Sequence, residues 1–281
     1  MSDSSDRFLL AGVMGWPVMH SRSPMLHGYW LREYGLKGAY LPLAVQPEGL
    51  PAALRSLKPL GFAGCNLTIP HKQHAMSLVD EVDEVGRQIG AISCVVVRPD
   101  GSLAGSNNDC YGFIEHLRQS APDWRAEAGP AVVLGAGGGS RAICYALAQA
   151  GVPEVRLINR TFDRASALAA EFGSPLRALP WEQRADAMEG AMLVVNTTSL
   201  GMVGQAPLDL SIERLPPQAI AYDIVYTPLM TPFLAAAHSR GNRTIDGLGM
   251  LLHQAVPAWR AWFGIETRVT PALRALLVAS L

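Results

Sequence analysis

The residues of this sequence best suited to chemistry lie in three polar stretches of its first half. The stretches follow apolar runs and read HSRSP at 20–24, NLTIPHKQ at 66–73 and SNND at 106–109. Their hydroxyl and amide groups can bind a carboxylate or alcohols. Lys72 and Asp109 add a proton-transfer pair, because a lysine beside a carboxylate can donate to a developing alkoxide. The types and order of these residues predict a small-molecule site.

Each of these residues also has a purely structural interpretation, and the sequence leaves both open. Ser23 precedes Pro24, an arrangement typical of a helix N-cap followed by proline at the first helical position. Asp109 could cap a helix beginning at Tyr111, and Lys72 could be a solvated surface lysine.

The first half is predicted to alternate strands with helices. Apolar, β-branched runs predict strands, and apolar spacing at three and four residues predicts helices. The predicted strands are 8–14, 39–44 and 64–68, and the predicted helices are 24–34, 49–60 and a segment after Pro70.

A glycine-rich turn opens the second predicted region. Residues 130–151 read PAVVLGAGGGSRAICYALAQAG, an apolar strand followed by the turn and then a helix. Glycine lets the backbone turn tightly and approach a pyrophosphate, whose charge is met by the amides at the helix N-terminus. A flexible loop is the alternative. The predicted dinucleotide-binding turn comprises Gly135, Ala136, Gly137, Gly138 and Gly139.

The end of the next predicted strand indicates which dinucleotide is bound. An NAD site usually has an acid there for the ribose hydroxyls, but residues 155–165 read VRLINRTFDRA. Arg160 and Arg164 offer guanidinium groups that suit a 2′-phosphate, and Asn159 and Thr161 accompany them. The pattern favours NADP.

The second half is predicted to be a doubly wound nucleotide-binding sheet, so the fold class is α/β. Its predicted strands are 131–134, 155–158, 192–195 and 220–224, and its predicted helices are 141–150, 163–172 and 232–240. We place the domain crossing near Asp109. Residues 249–281 are predicted to be helical, without a further strand.

Composition excludes several classes of protein. The 281 residues are 49% hydrophobic, and the 23 basic and 24 acidic residues give no global charge to attract nucleic acid or a membrane. The four cysteines, Cys65, Cys94, Cys110 and Cys144, lack metal-ligand spacing, so free thiols and no metal are expected. Without a signal sequence or a spanning stretch, the chain is expected to be cytoplasmic, a monomer or homodimer with a loose polar N-terminus.

At this point the sequence resembles the shikimate dehydrogenase family over nearly its whole length. The similar segments occur in order along both predicted domains, which makes the resemblance specific. They are MGWPVMHSRSPMLH (14–27), GCNLTIPHKQ (64–73), GAIS (90–93), SNNDCYGF (106–113), GAGGGSRA (135–142), NRTFDRA (159–165), NTTSLGM (196–202), DIVYTPLMTPFL (223–234) and DGLGMLLHQA (246–255).

The resemblance implies an N-terminal α/β substrate domain, a Rossmann-type NADP domain, and C-terminal helices that return to the first domain. The implied domains are 1–109 with 249–281, and 110–248.

The resemblance also assigns roles to residues. Lys72 is implied to handle the proton, with Asp109 beside it. The residues implied or predicted to bind a hydroxylated ring acid are Ser21, Ser23, Asn66, Thr68, Ser93, Tyr226 and Gln254. The residues implied to lie against the cofactor, beyond the glycine turn and residues 159–164, are Asn196, Thr197, Met202 and Gly247.

Two departures from the family pattern bear on the substrate. Where the family has asparagine to bind ring hydroxyls, this chain has Ser93, whose shorter side chain reaches less far. Asn108 and Cys110 also replace common residues beside Asp109. The expected activity is reversible, NADP-dependent reduction of 3-dehydroshikimate to shikimate. The alternatives are quinate, an aminoshikimate or a related ring acid as substrate, or a cofactor-binding regulator without turnover.

Overall fold

The computed structural model describes residues 8–281 of the protein, which divide into two compact units. The first unit comprises the chain up to Asp109 together with Leu251–Ser280, and the second comprises Cys110–Met250 with Leu281. The predicted loose tail falls largely on residues 1–7, which lie outside the described residues. No helix within residues 8–281 is long and apolar enough to cross a membrane.

The first unit contains a mixed sheet whose central strand is β1 (Leu9–Gly15). The strand order is β2-β1-β3-β5-β6-β4. Strands β2 and β3 run parallel to β1 on either side of it. Strand β5 is antiparallel to β3 and to β6, and β4 is parallel to β6 at the edge. The other strands are β2 (Gly38–Ala44), β3 (Gly64–Leu67), β4 (Glu81–Val82), β5 (Cys94–Val97) and β6 (Leu103–Ser106).

Helices cover this sheet, and two of them come from the end of the chain. The early helices are α1 (Ser23–Glu33), α2 (Leu50–Ser56), α3 (His71–His74) and α4 (Glu84–Ile89); the late ones are α9 (Leu248–Phe263) and α10 (Pro271–Val278). Trp262 of α9 donates from Nε1 to the carbonyl of Val95 at 2.9 Å. Trp259 is fully buried and donates to Nδ1 of His27. The C-terminal helix α9 thus completes the core of the first unit.

The second unit contains a six-stranded, wholly parallel sheet in the order β12-β11-β10-β7-β8-β9. If the strands of this unit are numbered 1 to 6 along the chain, starting from β7, they lie side by side from β9 to β12 in the order 3-2-1-4-5-6. This is the dinucleotide-binding topology, in which the direction of strand order reverses between β7 and β10. The strands are β7 (Ala131–Leu134), β8 (Val155–Ile158), β9 (Leu176–Leu179), β10 (Leu193–Asn196), β11 (Ile220–Asp223) and β12 (Arg243–Ile245), and the helices are α5 (Asp109–Ser120), α6 (Gly138–Ala150), α7 (Phe162–Phe172) and α8 (Pro232–Ser239).

Most predicted elements agree with the structure to within three residues, and one helix differs more. The helix predicted over 49–60 ends at Ser56. Pro59 explains this early end, because proline disfavours helical geometry at the residue before it and cannot donate to the preceding turn. Strands β4, β5, β6, β9 and β12 were not predicted, and each has only two to four residues.

Candidate active site

Lys72 and Asp109 form a direct ion pair. Lys72 Nζ lies 2.5 Å from Asp109 Oδ2, and the two side chains are only 18% and 7% exposed. Lys72 lies on α3 directly after the turn at Pro70, and Asp109 is the first residue of α5. The surface-lysine interpretation is therefore wrong, and the carboxylate is committed to the ammonium group of Lys72.

The turn before α5 holds Asp109 through the backbone. Asn107 Oδ1 accepts the Asp109 N–H at 2.9 Å, and Asn107 Nδ2 donates to the carbonyl of Ala91 at 2.8 Å. This side-chain bond lets α5 start at Asp109, two residues earlier than predicted. The carboxylate is thereby fixed at the beginning of a helix.

Asn66 lies at the end of β3 with its amide group oriented by two partners. Tyr40 donates to Asn66 Oδ1 at 2.7 Å, and Asn66 Nδ2 donates to the carbonyl of Ser93 at 3.2 Å. Burial raises the pKa of Tyr40 well above its ordinary value, so its hydroxyl keeps the proton that it donates. The second Nδ2 hydrogen of Asn66 has no partner among the described residues and can be offered to a ligand oxygen.

The two serines lie together at the start of α1. Ser21 Oγ accepts the Ser23 N–H at 3.2 Å. Ser23 is the first residue of α1 and Arg22 occupies the cap position, so the prediction that Ser23 caps the helix is wrong. The Ser21 hydroxyl therefore supports the backbone where α1 begins.

Thr68 and Gln254 also belong to the first unit. Thr68 follows β3, where its N–H donates to the carbonyl of Met14 at 2.9 Å, and a side chain at Gly15 would clash with Thr68 Cγ2. Gln254 lies on α9 and donates from Nε2 to the carbonyl of Leu251 at 3.0 Å. The structure thus brings Lys72 into contact with Asp109 and Asn66 into contact with Ser93. The side chain of Gln254 bonds to a carbonyl of its own helix.

The glycine turn of the second unit has the geometry of a phosphate cradle. Gly135 has φ +111°, a conformation that favours glycine, and an added Cβ would lie 2.6 Å from Thr197 Oγ1. Gly137 caps α6, is exposed, and a Cβ there would meet nothing within 4 Å. Open space thus lies over an amide-rich helix N-terminus, which fits a pyrophosphate. Ala136, Gly138 and Gly139 complete the turn.

The turn is braced by a serine that the sequence did not single out. Ser140 Oγ accepts the Gly137 N–H at 3.2 Å and contacts Thr197 Oγ1 at 2.5 Å. Thr197 Oγ1 in turn donates to the carbonyl of Leu134 at 2.6 Å. A serine three residues after the cap position is a recognisable capping signal, and it could have identified Ser140.

The residues after β8 leave their guanidinium groups available. Arg160, Thr161 and Arg164 are exposed, and Asn159 Nδ2 donates to the carbonyl of Thr161 at 2.8 Å, which shapes the turn. Neither arginine has an ion pair within residues 8–281. Two available cations at this strand end suit a phosphate on the adenosine ribose.

Asn196 and Asp223 connect the loops after β10 and β11. Asn196 Nδ2 donates to Asp223 Oδ1 at 3.0 Å. Asp223, fully buried, also accepts the Val225 N–H at 3.0 Å and the Thr231 hydroxyl at 2.7 Å. Burial raises the pKa of Asp223 to about 6. Sequence reasoning assigned no role to Asp223, because its contacts require knowledge of which strands are neighbours.

The remaining predicted cofactor and substrate residues lie in loops of the second unit. Gly247 donates from its N–H to the carbonyl of Val225 at 3.2 Å, and a Cβ there would clash with the carbonyl of Ile224. Tyr226 lies in the loop after β11, and Met202 lies in the turn after β10. The side-chain amide of Asn196 bonds to Leu200 and Asp223 and so stabilises the loops after β10 and β11.

Two family models match the chain. One is described as the shikimate dehydrogenase substrate binding domain and matches residues 13–95; the other, shikimate / quinate 5-dehydrogenase, matches residues 118–203.

Individual proteins match nearly end to end. The shikimate dehydrogenase (NADP(+)) of Paramagnetospirillum magneticum is 55% identical over 275 residues, which cover 98% of this chain and 100% of the relative. The crystal structure of shikimate 5-dehydrogenase from Thermus thermophilus in complex with NADP(H) and shikimate is 39% identical, with a TM-score of 0.86, covering 97% of this chain and 100% of that one. Quinate dehydrogenase from Corynebacterium glutamicum in complex with NAD is 31% identical, with a TM-score of 0.89 and coverage of 97% and 100%.

Proposed function

The chain belongs to the shikimate dehydrogenase family, and on that premise we propose that it catalyses the reversible, NADP-dependent reduction of 3-dehydroshikimate to shikimate. It is an NADP-dependent oxidoreductase acting on a CH–OH group, and the alcohol it forms serves the pathway to chorismate and the aromatic amino acids. The observation that carries the proposal is the Lys72–Asp109 pair.

Lys72 supplies the proton and Asp109 holds the ammonium group in place. As the ring carbonyl is reduced, negative charge develops on its oxygen, and a proton passes from Lys72 Nζ to that oxygen. The 2.5 Å contact with Asp109 Oδ2 supports this role, because it restricts Nζ to one position. In the reverse direction the hydroxyl proton of shikimate passes to Nζ of Lys72.

Bound NADPH would supply the hydride for reduction of the ring carbonyl, and bound NADP⁺ would accept it in the reverse direction. Gly135–Gly139 would hold its pyrophosphate, and Arg160 and Arg164 its 2′-phosphate. The open space above Gly137 supports this assignment, as does the lack of an ion pair at either arginine within residues 8–281. Asp223 and Asn196 would keep the neighbouring loops in the shape that receives the rest of the cofactor.

Ring-acid binding is assigned mainly to residues of the first unit, and the family resemblance adds Tyr226. Ser21, Ser23 and Thr68 offer hydroxyl donors for a carboxylate, together with Tyr226. Asn66, Ser93 and Gln254 would contact ring hydroxyls.

A panel of substrates tests this function directly. Purified protein is assayed for NADP⁺ and NAD⁺ reduction with shikimate and with quinate, by absorbance of the reduced nicotinamide. Shikimate with NADP⁺ is expected to give the highest kcat/KM. Nucleotide binding without turnover of either acid would refute an enzymatic function and favour a regulator.

Quinate is the second candidate substrate, and Ser93 is the observation that favours it. Ser93 has a shorter side chain than the asparagine that the family resemblance implies, and quinate carries one more hydroxyl than shikimate. A kcat/KM for quinate above that for shikimate would select this candidate.

We further propose that the protein acts in the cytoplasm, as a monomer or homodimer, without nucleic-acid or membrane partners. Light scattering coupled to size exclusion measures the oligomeric state, and subcellular fractionation tests the compartment.

A further inference from the structure

The side chain of Ser93 is bonded within the protein. Ser93 Oγ accepts the N–H of Asn108 at 2.9 Å, and the residue is only 2% exposed. Its backbone is equally committed, since its N–H donates to the carbonyl of Ser106 at 2.9 Å and its carbonyl accepts the N–H of Leu67 at 2.9 Å. Ser93 therefore joins β3 to the turn that precedes α5.

The residue that Ser93 holds comes directly before Asp109. The N–H of Asn108 goes to Ser93 Oγ, and the next N–H, that of Asp109, goes to Asn107 Oδ1 at 2.9 Å. Asn107 is itself tied to the carbonyl of Ala91 at 2.8 Å. Two consecutive amides of the turn are thus fixed by side chains, and both connections lead to the segment of residues 91–93.

The same segment also holds the other member of the pair. The N–H of Ile92 donates to the carbonyl of Lys72 at 2.9 Å. A stretch of three residues therefore contacts the backbone at Lys72 on one side and the backbone beside Asp109 on the other. A shift of this stretch would change the position of either charged group relative to its partner.

We propose that Ser93 is a positioning residue for the Lys72–Asp109 pair, acting through the N–H of Asn108, and that binding of the ring acid is a lesser role of its hydroxyl. The inference rests on the proposed dehydrogenase function. The N–H that Ser93 accepts is the backbone amide of Asn108, which directly precedes Asp109.

The two roles of Ser93 predict different kinetics. A residue that only binds substrate changes KM and leaves kcat unchanged, whereas a residue that places the proton donor changes kcat. Without the Ser93 hydroxyl, the buried N–H of Asn108 loses its acceptor. Loss of one such hydrogen bond changes the equilibrium constant or the rate that depends on it by about ten- to a hundredfold. Small displacements of a reacting group have effects of similar size.

The experiment compares Ser93→Ala with Ser93→Thr, which keeps the hydroxyl, and with Ser102→Ala. Ser102 is the matched control, because within residues 8–281 its hydroxyl bonds only to Asp100, in an exposed turn of the same sheet. The wild-type protein is first assayed with shikimate and quinate, so that absence of turnover would refute the proposed function separately. The better substrate is then used for all variants.

We expect Ser93→Ala to lower kcat by about tenfold or more, with KM for the ring acid within about twofold of wild type and NADP affinity unchanged. Ser93→Thr should recover most of kcat, and Ser102→Ala should match wild type. Ser93→Cys is nearly isosteric, but its sulfur is a weak hydrogen-bond acceptor, so its kcat should also fall. This variant replaces Ser93→Ala in the test if the alanine variant does not fold. A rise in KM at constant kcat would overturn the proposal, as would equal losses in the threonine and alanine variants.

Discussion

Replacing Lys72 by methionine tests the proton donor and the ion pair in one experiment. Methionine keeps an unbranched apolar stem and removes the ammonium group. General acid–base catalysis typically contributes about 10²- to 10⁴-fold, so kcat should fall by at least about a hundredfold. NADPH affinity should not change, because the predicted cofactor residues belong to the second unit and Lys72 to the first.

The same substitution should also lower the free energy of unfolding, by an amount that depends on how deeply Lys72 and Asp109 are buried. Asp109, with its side chain 7% exposed, would lose its charged partner. Breaking a buried pair costs about 3–5 kcal/mol and breaking an exposed pair about 0–1 kcal/mol. Because Lys72 is 18% exposed, we expect an intermediate loss of about 2 kcal/mol. In the double variant Lys72→Met/Asp109→Asn no charge is left unpaired, so part of this loss should be recovered.

Three measurements decide the outcome. Steady-state kinetics give kcat, fluorescence titration gives NADPH affinity, and urea unfolding gives the free energy of unfolding for wild type, Lys72→Met, Asp109→Asn and the double variant. Retention of more than about a tenth of wild-type kcat by Lys72→Met would refute the proton-donor role. Additive losses of stability in the double variant would refute the ion pair as an energetic unit.

Three further predictions concern the second unit. Arg160→Ala should raise KM for NADP by about tenfold or more, through loss of a charge-assisted bond, while KM for NAD stays constant. Gly135→Ala should destabilise the protein, because φ is +111° and the new Cβ would lie 2.6 Å from Thr197 Oγ1, whereas Gly137→Ala has room and should weaken only NADP binding. Burial raises the pKa of Asp223 to about 6, above its value of about 4 in an unfolded chain. The contribution of Asp223 to the free energy of unfolding is therefore fully present below about pH 4 and is lost as the pH rises through 6. The loss should amount to about 3 kcal/mol, and Asp223→Asn should lack this pH dependence.

Each of these has a direct check. Kinetics with both dinucleotides test Arg160→Ala, and an equal rise in KM for NAD and NADP would argue against 2′-phosphate recognition. Thermal unfolding with and without NADP separates the two glycine variants, which serve as controls for one another. Urea unfolding between about pH 4 and pH 7 tests Asp223→Asn, and parallel curves for wild type and variant would contradict the shifted carboxyl.

The sequence was sufficient to predict the dinucleotide-binding sheet, because its signals are local. An apolar run before Gly135 and a helix after it define one strand and its turn without any tertiary information. The edge strands β9 and β12 were missed for the opposite reason. They contain four and three residues, too few for a pattern of alternation, and only pairing with a neighbour makes them strands.

Residue types identified Lys72 and Asp109 as a pair, but not what holds them. The contact of Ser93 with Asn108 depends on the antiparallel pairing of β5 with β6, in which Cys94 lies opposite Ser106. Asp223 depends in the same way on β10 lying beside β11. Residues that orient others are thus invisible to motif reasoning, since their partners are remote in sequence.

The return of α9 to the first unit has a consequence for how the protein is made. Apart from Leu281, the second unit is one continuous stretch, Cys110–Met250, so we expect that it can fold before the end of the chain is made. The first unit emerges earlier but waits for Leu251–Ser280, because Trp259 and Trp262 complete its core. We therefore expect the apolar surface of the first unit to stay uncovered during synthesis until α9 emerges, and exposed apolar surface of this kind makes a nascent chain prone to aggregate.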